Sequence, residues 1–331
     1  MPELPEVETI RRQLCAAGIE GRIIEKVHLE WPRTVEPLTP DAFCKEVKGR
    51  KIEKIDRHGK WLIFVLGRDR SPNGSPVLLG VKERTARRSV PTNLLVHLRM
   101  TGGFYLTHGA LEKGKHDRAI LQLSGGLNLH FRDPRKFGRW RLESHIVGRA
   151  SRIRERVPGD EHKLSEYREA CPAIEGLGPD ALTVTKAEFF RALPALSDAK
   201  GGVERGRSNK TLKALLLDQS FVAGVGNIYA DEALFAARLD PRRKSGTLSD
   251  AEKLALWKAV RHVIEAGVRN KGTSLGSGQG NYVDLNGETG GHREKVKVYG
   301  RAGQPCIVCG RPLHKTQITQ RTTVFCAHCQ K

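Results

Sequence analysis

The chain opens Met1-Pro2-Glu3-Leu4-Pro5-Glu6-Val7-Glu8-Thr9, and the reading of these residues decides how the rest is organised. A proline after the initiator methionine permits removal of Met1, which would leave a secondary amine at the terminus. An α-amino group titrates at roughly 7.7–8.0, so a useful free-base fraction exists near neutral pH. Such an amine can attack an electrophilic carbon and form an iminium without any separate lysine. Glu3 lies beside it and Glu6 one helical turn on, where carboxylates can move protons. The same residues also spell a helix start. Pro5 suits the first helical position, Glu6 and Glu8 suit the positive end of the helix dipole, and Val7, Ile10 and Leu14 make an apolar stripe. Both readings can hold, because a helix is a rigid mount for a terminus.

Outward from this helix, expected over residues 2–17 and ended by Gly18, come short alternating stretches. They are Arg22 to Leu29, Ile52 to Asp56, Lys60 to Leu66, Leu94 to Leu98, Ala119 to Leu123 and Leu127 to Phe131. Their β-branched content and glycine breaks predict an antiparallel sandwich or barrel. Residues 67–93, with Pro72-Asn73-Gly74 and a basic run from Lys82 to Arg88, read as a long exposed loop. Residues 151–178 have the charged composition of a linker, after which helical patterns take over. Thr185 with Glu188 and Ser249 with Glu252 have capping-box spacing. Two antiparallel helices are expected on either side of Gly224-Val225-Gly226-Asn227, and the glycine-rich segment 271–294 reads as a mobile loop.

A chain of 331 residues has room for two or three domains. It carries 57 basic against 37 acidic residues, a formal charge of +20, and its pI is near 9.9. With 38% hydrophobic residues it can build real cores, and a folded protein this basic is expected to meet phosphate, in nucleic acid or at an anionic membrane surface. No apolar run approaches a membrane span and no basic-then-apolar signal opens the chain, so a cytoplasmic location is expected; the chain is also expected to act as a monomer.

The sharpest metal signal is Cys306-x-x-Cys309 followed by Cys326-x-x-Cys329. Two such turns make a closed tetrahedral site, so one structural zinc ion is expected, with His314 and His328 surplus to it. Between the pairs, Thr316 to Phe325 alternates like a hairpin and carries Arg321, a cation placed to clamp phosphate. Gly224-x-Gly226-Asn227 at a helix start could cradle phosphate, with Lys213 on the same side. Asp133-Pro134-Arg135-Lys136-Phe137-Gly138 is a turn offering a cation and an aromatic ring. Phe137, Arg135 and Met100 are candidates for insertion into a base stack; the alternative for the apolar pair is ordinary core. A lone lysine such as Lys60 is by default solvated.

Together the N-terminal Pro-Glu-Leu-Pro-Glu-Val-Glu, the Gly-Val-Gly-Asn-Ile-Tyr-Ala run at 224–230, the Asp-Pro-Arg-x-Phe-Gly run at 133–138 and the C-terminal cysteine pairs resemble the bacterial-type formamidopyrimidine-DNA glycosylases. The resemblance spans nearly the whole chain. It implies a multidomain α+β fold: an N-terminal β-sandwich with its catalytic helix (2–150), a linker (151–178), a helix–two-turn–helix domain (179–295) with a lesion-capping loop (271–294), and a zinc-finger hairpin (296–331). It implies excision of oxidised purines from double-stranded DNA and β,δ-elimination at abasic sites. By position, Pro2 would be the nucleophile, Glu3 the proton donor and acceptor, Lys60 an assistant beside the lesion, and Glu6 a support of the site. Met100, Arg135 and Phe137 would fill the gap left by a flipped nucleotide. His97, Lys213, Asn227 and Arg321, with His116, would grip phosphates. Arg99 stands where a small residue is common and Lys136 where arginine is frequent. The rival within the fold is an endonuclease VIII-like enzyme for oxidised pyrimidines, which Leu4 and the Arg135/Phe137 pair disfavour. A non-catalytic zinc-containing binder of damaged DNA would not need Pro2, Glu3 and Lys60 together.

Overall fold

A computed structural model describes residues 1–68, 92–144, 172–193, 209–275 and 281–331. Helix α1 (Leu4–Ala16) begins at Glu3 as N-cap, with Pro5 in its first turn and Gly18 (φ +68°) closing its end. Its buried side chains serve two cores. Val7, Ile10 and Leu14 pack into a β core, whereas Leu4 belongs to a helical one. Burying such a side chain is worth roughly 1.5–3 kcal/mol, so α1 cannot shift toward either core without loss in the other. The chain terminus is thereby fixed in the seam.

The β core lies between two sheets. One runs β1 (Ile24–Leu29), β7 (Asp117–Leu123), β8 (Leu127–Arg132), β6 (Gly103–His108). The other runs β2 (Val35–Glu36), β9 (Arg139–Ser144), β5 (Thr92–His97), β4 (Trp61–Arg68), β3 (Arg50–His58). All pairings are antiparallel except the short β2–β9 contact, which is parallel. The sandwich expectation holds with that exception. Strands β6 and β9 and helix α2 (Pro40–Val47, N-capped by Thr39) are additions to it. The long loop expected over 67–93 lies largely outside the described residues, although β4 and β5 extend into both of its ends.

The helical part comprises α3 (Pro172–Glu175), α4 (Lys186–Ala192), α5 (Leu212–Leu217), α6 (Asn227–Ala236) and α7 (Asp250–Arg269). Both expected capping boxes are present, at Thr185/Glu188 and Ser249/Glu252. Helix α6 is buried from Ile228 to Phe235, which is why it shows no polar face. Most of the expected linker lies outside the described residues, but its end is packed: Ile174 of α3 joins Trp61, Ile63 and Leu95 in a small core on the outer face of the second sheet.

The described part of 271–294 is likewise packed rather than extended into solvent. Tyr282 and Leu285 enter the β core, and Gln13 of α1 hydrogen-bonds Asp284 (2.7 Å). Glycine at 290 is set by close approach, since a Cβ there would lie 2.3 Å from the Gly272 carbonyl oxygen. At the C-terminus, β10 (His314–Ile318) and β11 (Arg321–Phe325) form a hairpin turning through Thr319 and Gln320, both at positive φ (49° and 59°). That is the turn geometry that matches strand twist, here made without glycine. Among the described residues no helix is long and apolar enough to cross a membrane.

Candidate active site and nucleic-acid interface

The N-terminus and the Gly224-Val225-Gly226 loop form one structural unit. The Leu4 amide donates to the Gly224 carbonyl (3.1 Å), and a Cβ on Gly224 (φ +105°) would sit 2.4 Å from Leu4 Cδ1. A Cβ on Gly226 would come within 2.2 Å of the Glu3 carboxyl carbon. Both glycines therefore make room for the chain terminus. Glu3 is buried with its carboxylate at the N-terminus of α6, accepting from the Ile228 amide (3.0 Å) and, more distantly, the Tyr229 amide (3.5 Å). The anion that the helix start holds is thus Glu3, not a phosphate, which corrects the cradle expected of this loop.

Glu6 is sealed behind Glu3. Its Oε2 accepts the Glu3 amide (2.7 Å), while Oε1 accepts the Thr273 amide (2.7 Å) and the Tyr229 hydroxyl (3.0 Å). Burial, followed by the neighbouring Glu3 charge, pushes its pKa up to about 7, against the pull of those hydrogen bonds. A group so placed is protonated in part at neutral pH and can hold or release a proton. Pro2 is buried beside them; with Met1 attached its nitrogen is an amide, and only removal of Met1 frees it as an amine.

Lys60 and Glu3 both line a cleft of about 540 Å3, whose walls also include His97, Met100, Asn227 and Arg321. Lys60 sits in the two-residue turn between β3 and β4, where His58 pairs with Trp61 and Gly59 takes φ +56°. The turn is locked from the helical side. Asp180 accepts the Gly59 amide (2.7 Å) and both terminal nitrogens of Arg57 (2.6 and 3.0 Å), and Arg57 reaches back to Glu8 of α1 (3.0 Å). Burial lowers the Lys60 pKa, opposed by the charges of Glu3 and Glu6. The ammonium is therefore a readier proton donor than a solvated lysine.

Met100, which lines the cleft, and Phe137 are exposed (37% and 44%), unlike nearly every other large apolar side chain among the described residues. The Arg135 guanidinium lies over the Phe137 ring at 5.0 Å. Asp133 fixes both loops, accepting from the Thr101 hydroxyl and from the Arg135 (3.3 Å) and Gly138 (2.7 Å) amides. His97 accepts the Arg99 amide at Nδ1 (3.0 Å), which leaves its proton on Nε2 as a neutral donor. Burial, then the charges of Arg99 and Lys60, pushes its pKa down to about 3. Arg321 begins β11 and reaches the cleft, while the Asn227 amide nitrogen donates to the Thr322 carbonyl (3.1 Å), tying α6 to the hairpin. His116 lies apart from these, in a second pocket of about 320 Å3 that Pro2, Met100, Tyr105, Asn281 and Tyr282 also line.

Lys213 departs from its expected role. It is fully buried, with Nζ on Asp231 Oδ1 (2.6 Å) and the Asn227 carbonyl (2.8 Å), and the other Asp231 oxygen accepts the Val324 amide of the hairpin (3.1 Å). It has no free donor at the surface for a phosphate; it instead joins α5, α6 and the hairpin that carries Arg321.

Sequence reasoning also missed Tyr229, Thr273, Asp180 and Arg57. Tyr229 stands inside the quoted 224–230 run, so the length of that motif was its signal. The others come from distant segments and had none.

The four cysteine sulfurs lie within 4.8 Å of one another, with Cys309–Cys326 at 3.5 Å and Cys306–Cys329 at 3.9 Å. Four thiolates at about 2.3 Å from a tetrahedral zinc would stand about 3.8 Å apart, so the set fits the ion and leaves no open position. Backbone amides of Val308 and Cys329 point at Cys306 (3.5 Å) and Cys326 (3.4 Å), the kind of outer contact that orients thiolates.

Comparison with known proteins agrees with this geometry. Residues 1–140 match the formamidopyrimidine-DNA glycosylase N-terminal domain, 197–278 its H2TH domain, and 303–331 the zinc finger found in FPG and IleRS. The chain is 37% identical over 330 residues to a formamidopyrimidine-DNA glycosylase of Desulfitobacterium hafniense, covering all of both chains. It is 37% identical over 332 residues to that of Deinococcus radiodurans, covering 100% of this chain and 97% of the other. Among solved structures it resembles the MutM (Fpg) protein of Thermus thermophilus (37% identity, TM-score 0.71, 99% and 98% covered). It also resembles Lactococcus lactis Fpg (MutM) in complex with DNA containing N7-benzyl-Fapy-dG (29% identity, TM-score 0.74, both chains covered in full). The chain belongs to the formamidopyrimidine-DNA glycosylase family.

Proposed function

We propose that this protein is a DNA glycosylase and abasic-site lyase of base excision repair, acting in the cytoplasm on chromosomal DNA and removing oxidised purines such as 8-oxoguanine and formamidopyrimidines. The observation that carries the reading is the seating of Glu3 on the start of α6, with Glu6 behind it and Lys60 in the same cleft. With Met1 removed, the Pro2 lone pair forms the bond to C1′ as the N-glycosidic bond breaks. The bonding pair leaves with the base, which takes a proton from the Lys60 side of the cleft. The Glu3 carboxylate takes the proline N–H proton as the bond to C1′ forms. Glu3 protonates the sugar ring oxygen as the C1′–O4′ bond opens, and the nitrogen lone pair completes the iminium. The Glu3 carboxylate so formed can then remove the C2′ proton, and the 3′ phosphate departs with the C–O electron pair; a second elimination releases the 5′ phosphate. Glu6 holds the Glu3 amide and, poised near neutrality, sets the charge behind Glu3.

Met100, Arg135 and Phe137 stand where they can occupy the gap left by an extruded nucleotide, which is why their exposure is tolerated. The pocket beside Pro2 is large enough for a base, and the Lactococcus lactis relative was solved with DNA bearing such a lesion. His97, Asn227 and Arg321 offer donors to phosphates along the cleft, and His116 one near the second pocket. The cysteine set would hold zinc as a scaffold for the hairpin and would supply no catalytic step. Single-turnover cleavage of duplexes carrying 8-oxoguanine opposite cytosine, an oxidised pyrimidine or an abasic site tests the reading. Cleavage of the first and third, with phosphates left at both ends of the gap, is expected. Preference for the pyrimidine would assign the endonuclease VIII-like activity instead. Binding without cleavage, with Pro2 verified as the free terminus, would leave only a DNA-binding role.

A further inference from the structure

The turn between α5 and α6 places Gln219, half-buried, on the wall of the cleft. Asp218 closes the end of α5, its Oδ1 accepting the Ser220 amide (2.9 Å) and the Ser220 hydroxyl (2.7 Å). The Gln219 amide then makes three hydrogen bonds. Its Oε1 accepts the Gly224 amide (3.0 Å), while Nε2 donates to the Val225 carbonyl (2.8 Å) and the Leu217 carbonyl (3.0 Å). These partners fix the orientation of the amide, because the reversed group would set N–H against N–H and oxygen against two carbonyls. A primary amide alone among neutral side-chain groups offers an acceptor together with two donors. Gln219 thus grips both ends of the Gly224-Val225 dipeptide and ties it to the end of α5.

The gripped loop touches both groups proposed to move protons. On one side the Gly224 carbonyl receives the Leu4 amide (3.1 Å), and Gly226 lies against the Glu3 carboxyl. On the other, Gly59, the neighbour of Lys60, packs on the loop: a Cβ there would lie 3.0 Å from Ala223 Cβ and 3.4 Å from the Gly224 nitrogen. The Gln219 backbone adds a second hold. Its carbonyl accepts the Gly178 amide (2.8 Å), and the Gly178 carbonyl accepts His58 Nε2 (3.1 Å), two residues before Lys60. We propose that Gln219 is a positioning residue that sets Glu3 and Lys60 relative to each other in the cleft. It acts through the Gly224 loop, whose glycines would otherwise leave the backbone free to take other conformations. Gln219→Leu removes all three side-chain bonds at similar volume. Gln219→Glu keeps an acceptor for Gly224 but turns the donor end into an oxygen facing two carbonyls. The rate readout below rests on the proposed glycosylase reading; the spectroscopic readout does not.

The test compares full-length wild type, Gln219→Leu and Gln219→Glu, each with Pro2 verified as the free terminus. Single-turnover excision of 8-oxoguanine gives the rate at saturating enzyme and the enzyme concentration that reaches half of it. The 15N–1H signals of two amides are followed in the DNA-free protein: Ile228, which reports the seat of Glu3, and Gly59, which reports the turn of Lys60. Because a misplacement of about 1 Å can cost about 100-fold, the saturating rate should fall roughly 10- to 100-fold in both variants, with the half-saturating concentration within about threefold of wild type. Both amide signals should move, that of Ile228 toward its position in Glu3→Ala, where the seat is empty. Partial unfolding alone would raise the half-saturating concentration and leave the saturating rate unchanged, so that pattern overturns the proposal. Unmoved amide signals overturn it whatever the rate does. If the leucine variant does not fold, the glutamate variant, which retains the bond to Gly224, decides by the same criteria. If wild type excises nothing, the glycosylase reading falls, and the two amide signals alone decide whether Gln219 holds Glu3 and the Lys60 turn in place.

Discussion

Gly226→Ala separates the seating of Glu3 from every other property of the site. The backbone at 226 has φ −127°, open to any residue, so alanine adds no conformational strain. What it adds is a methyl 2.2 Å from the Glu3 carboxyl carbon and 2.4 and 2.6 Å from its two oxygens. The carboxylate must leave the start of α6. It then loses one good hydrogen bond to a charged group, worth about 1.5–3 kcal/mol, and the favourable helix end, worth about 0.3–1 kcal/mol more. If Glu3 acts only from that position, some 2–4 kcal/mol is lost from the transition state, a rate roughly 30- to 900-fold slower at 1.36 kcal/mol per decade. Single-turnover excision on an 8-oxoguanine duplex, with duplex affinity and thermal midpoint measured alongside, reads the effect. Excision should fall within that range while affinity stays close to wild type, because Met100, Phe137 and Arg321 are untouched. A variant that excises as fast as wild type would show that Glu3 does not act from the helix end.

Three further outcomes follow from the same geometry. Glu6 has a folded pKa of about 7, raised above the ordinary carboxylate value of 4.5, so the stability it contributes is fully present below 4.5 and is lost as pH rises through 7; over that interval about 3 kcal/mol is at stake. The stability of wild type relative to Glu6→Gln, from denaturant unfolding, should therefore decline between pH 4.5 and 7, and a flat difference would contradict the buried titration. Lys213→Met leaves Asp231 buried and unpaired, so it should destabilise by about 3–5 kcal/mol without changing the salt dependence of DNA binding; a salt slope lowered by about one would restore the phosphate contact. Chelation of zinc should release the hairpin and weaken duplex binding, because Arg321 loses its scaffold, and unchanged affinity in the metal-free protein would refute that dependence.

Local chemistry made much of this fold legible. The capping boxes at Thr185 and Ser249 and the two cysteine pairs declare themselves within a few residues, because the groups that satisfy each other are neighbours in sequence. Strand β9 escaped notice although Trp140 and Leu142 point inward between Arg139, Arg141 and Glu143, since two apolar residues directly after the Asp133–Gly138 turn make too short a run to stand out. The glycines of 271–294 read as mobility, yet Gly272 and Gly290 exist to let backbone pass Glu6 and the Gly272 carbonyl at close range. Lys213 looked like a surface cation because its partner, Asp231, is a helix away. The candidate catalytic residues Pro2, Glu3 and Lys60 are legible through motif resemblance. Their supports, Tyr229, Thr273, Asp180 and Arg57, depend on long-range contacts that no single stretch records.

The most direct measurement of the central claim is borohydride trapping on an abasic duplex, followed by mass mapping of the linked peptide, with the N-terminus sequenced in the same preparation. The account predicts that every trapped molecule begins at Pro2 and carries the sugar on that residue's nitrogen. Linkage to Lys60 or any other lysine, or trapping by protein that retains Met1, would contradict it.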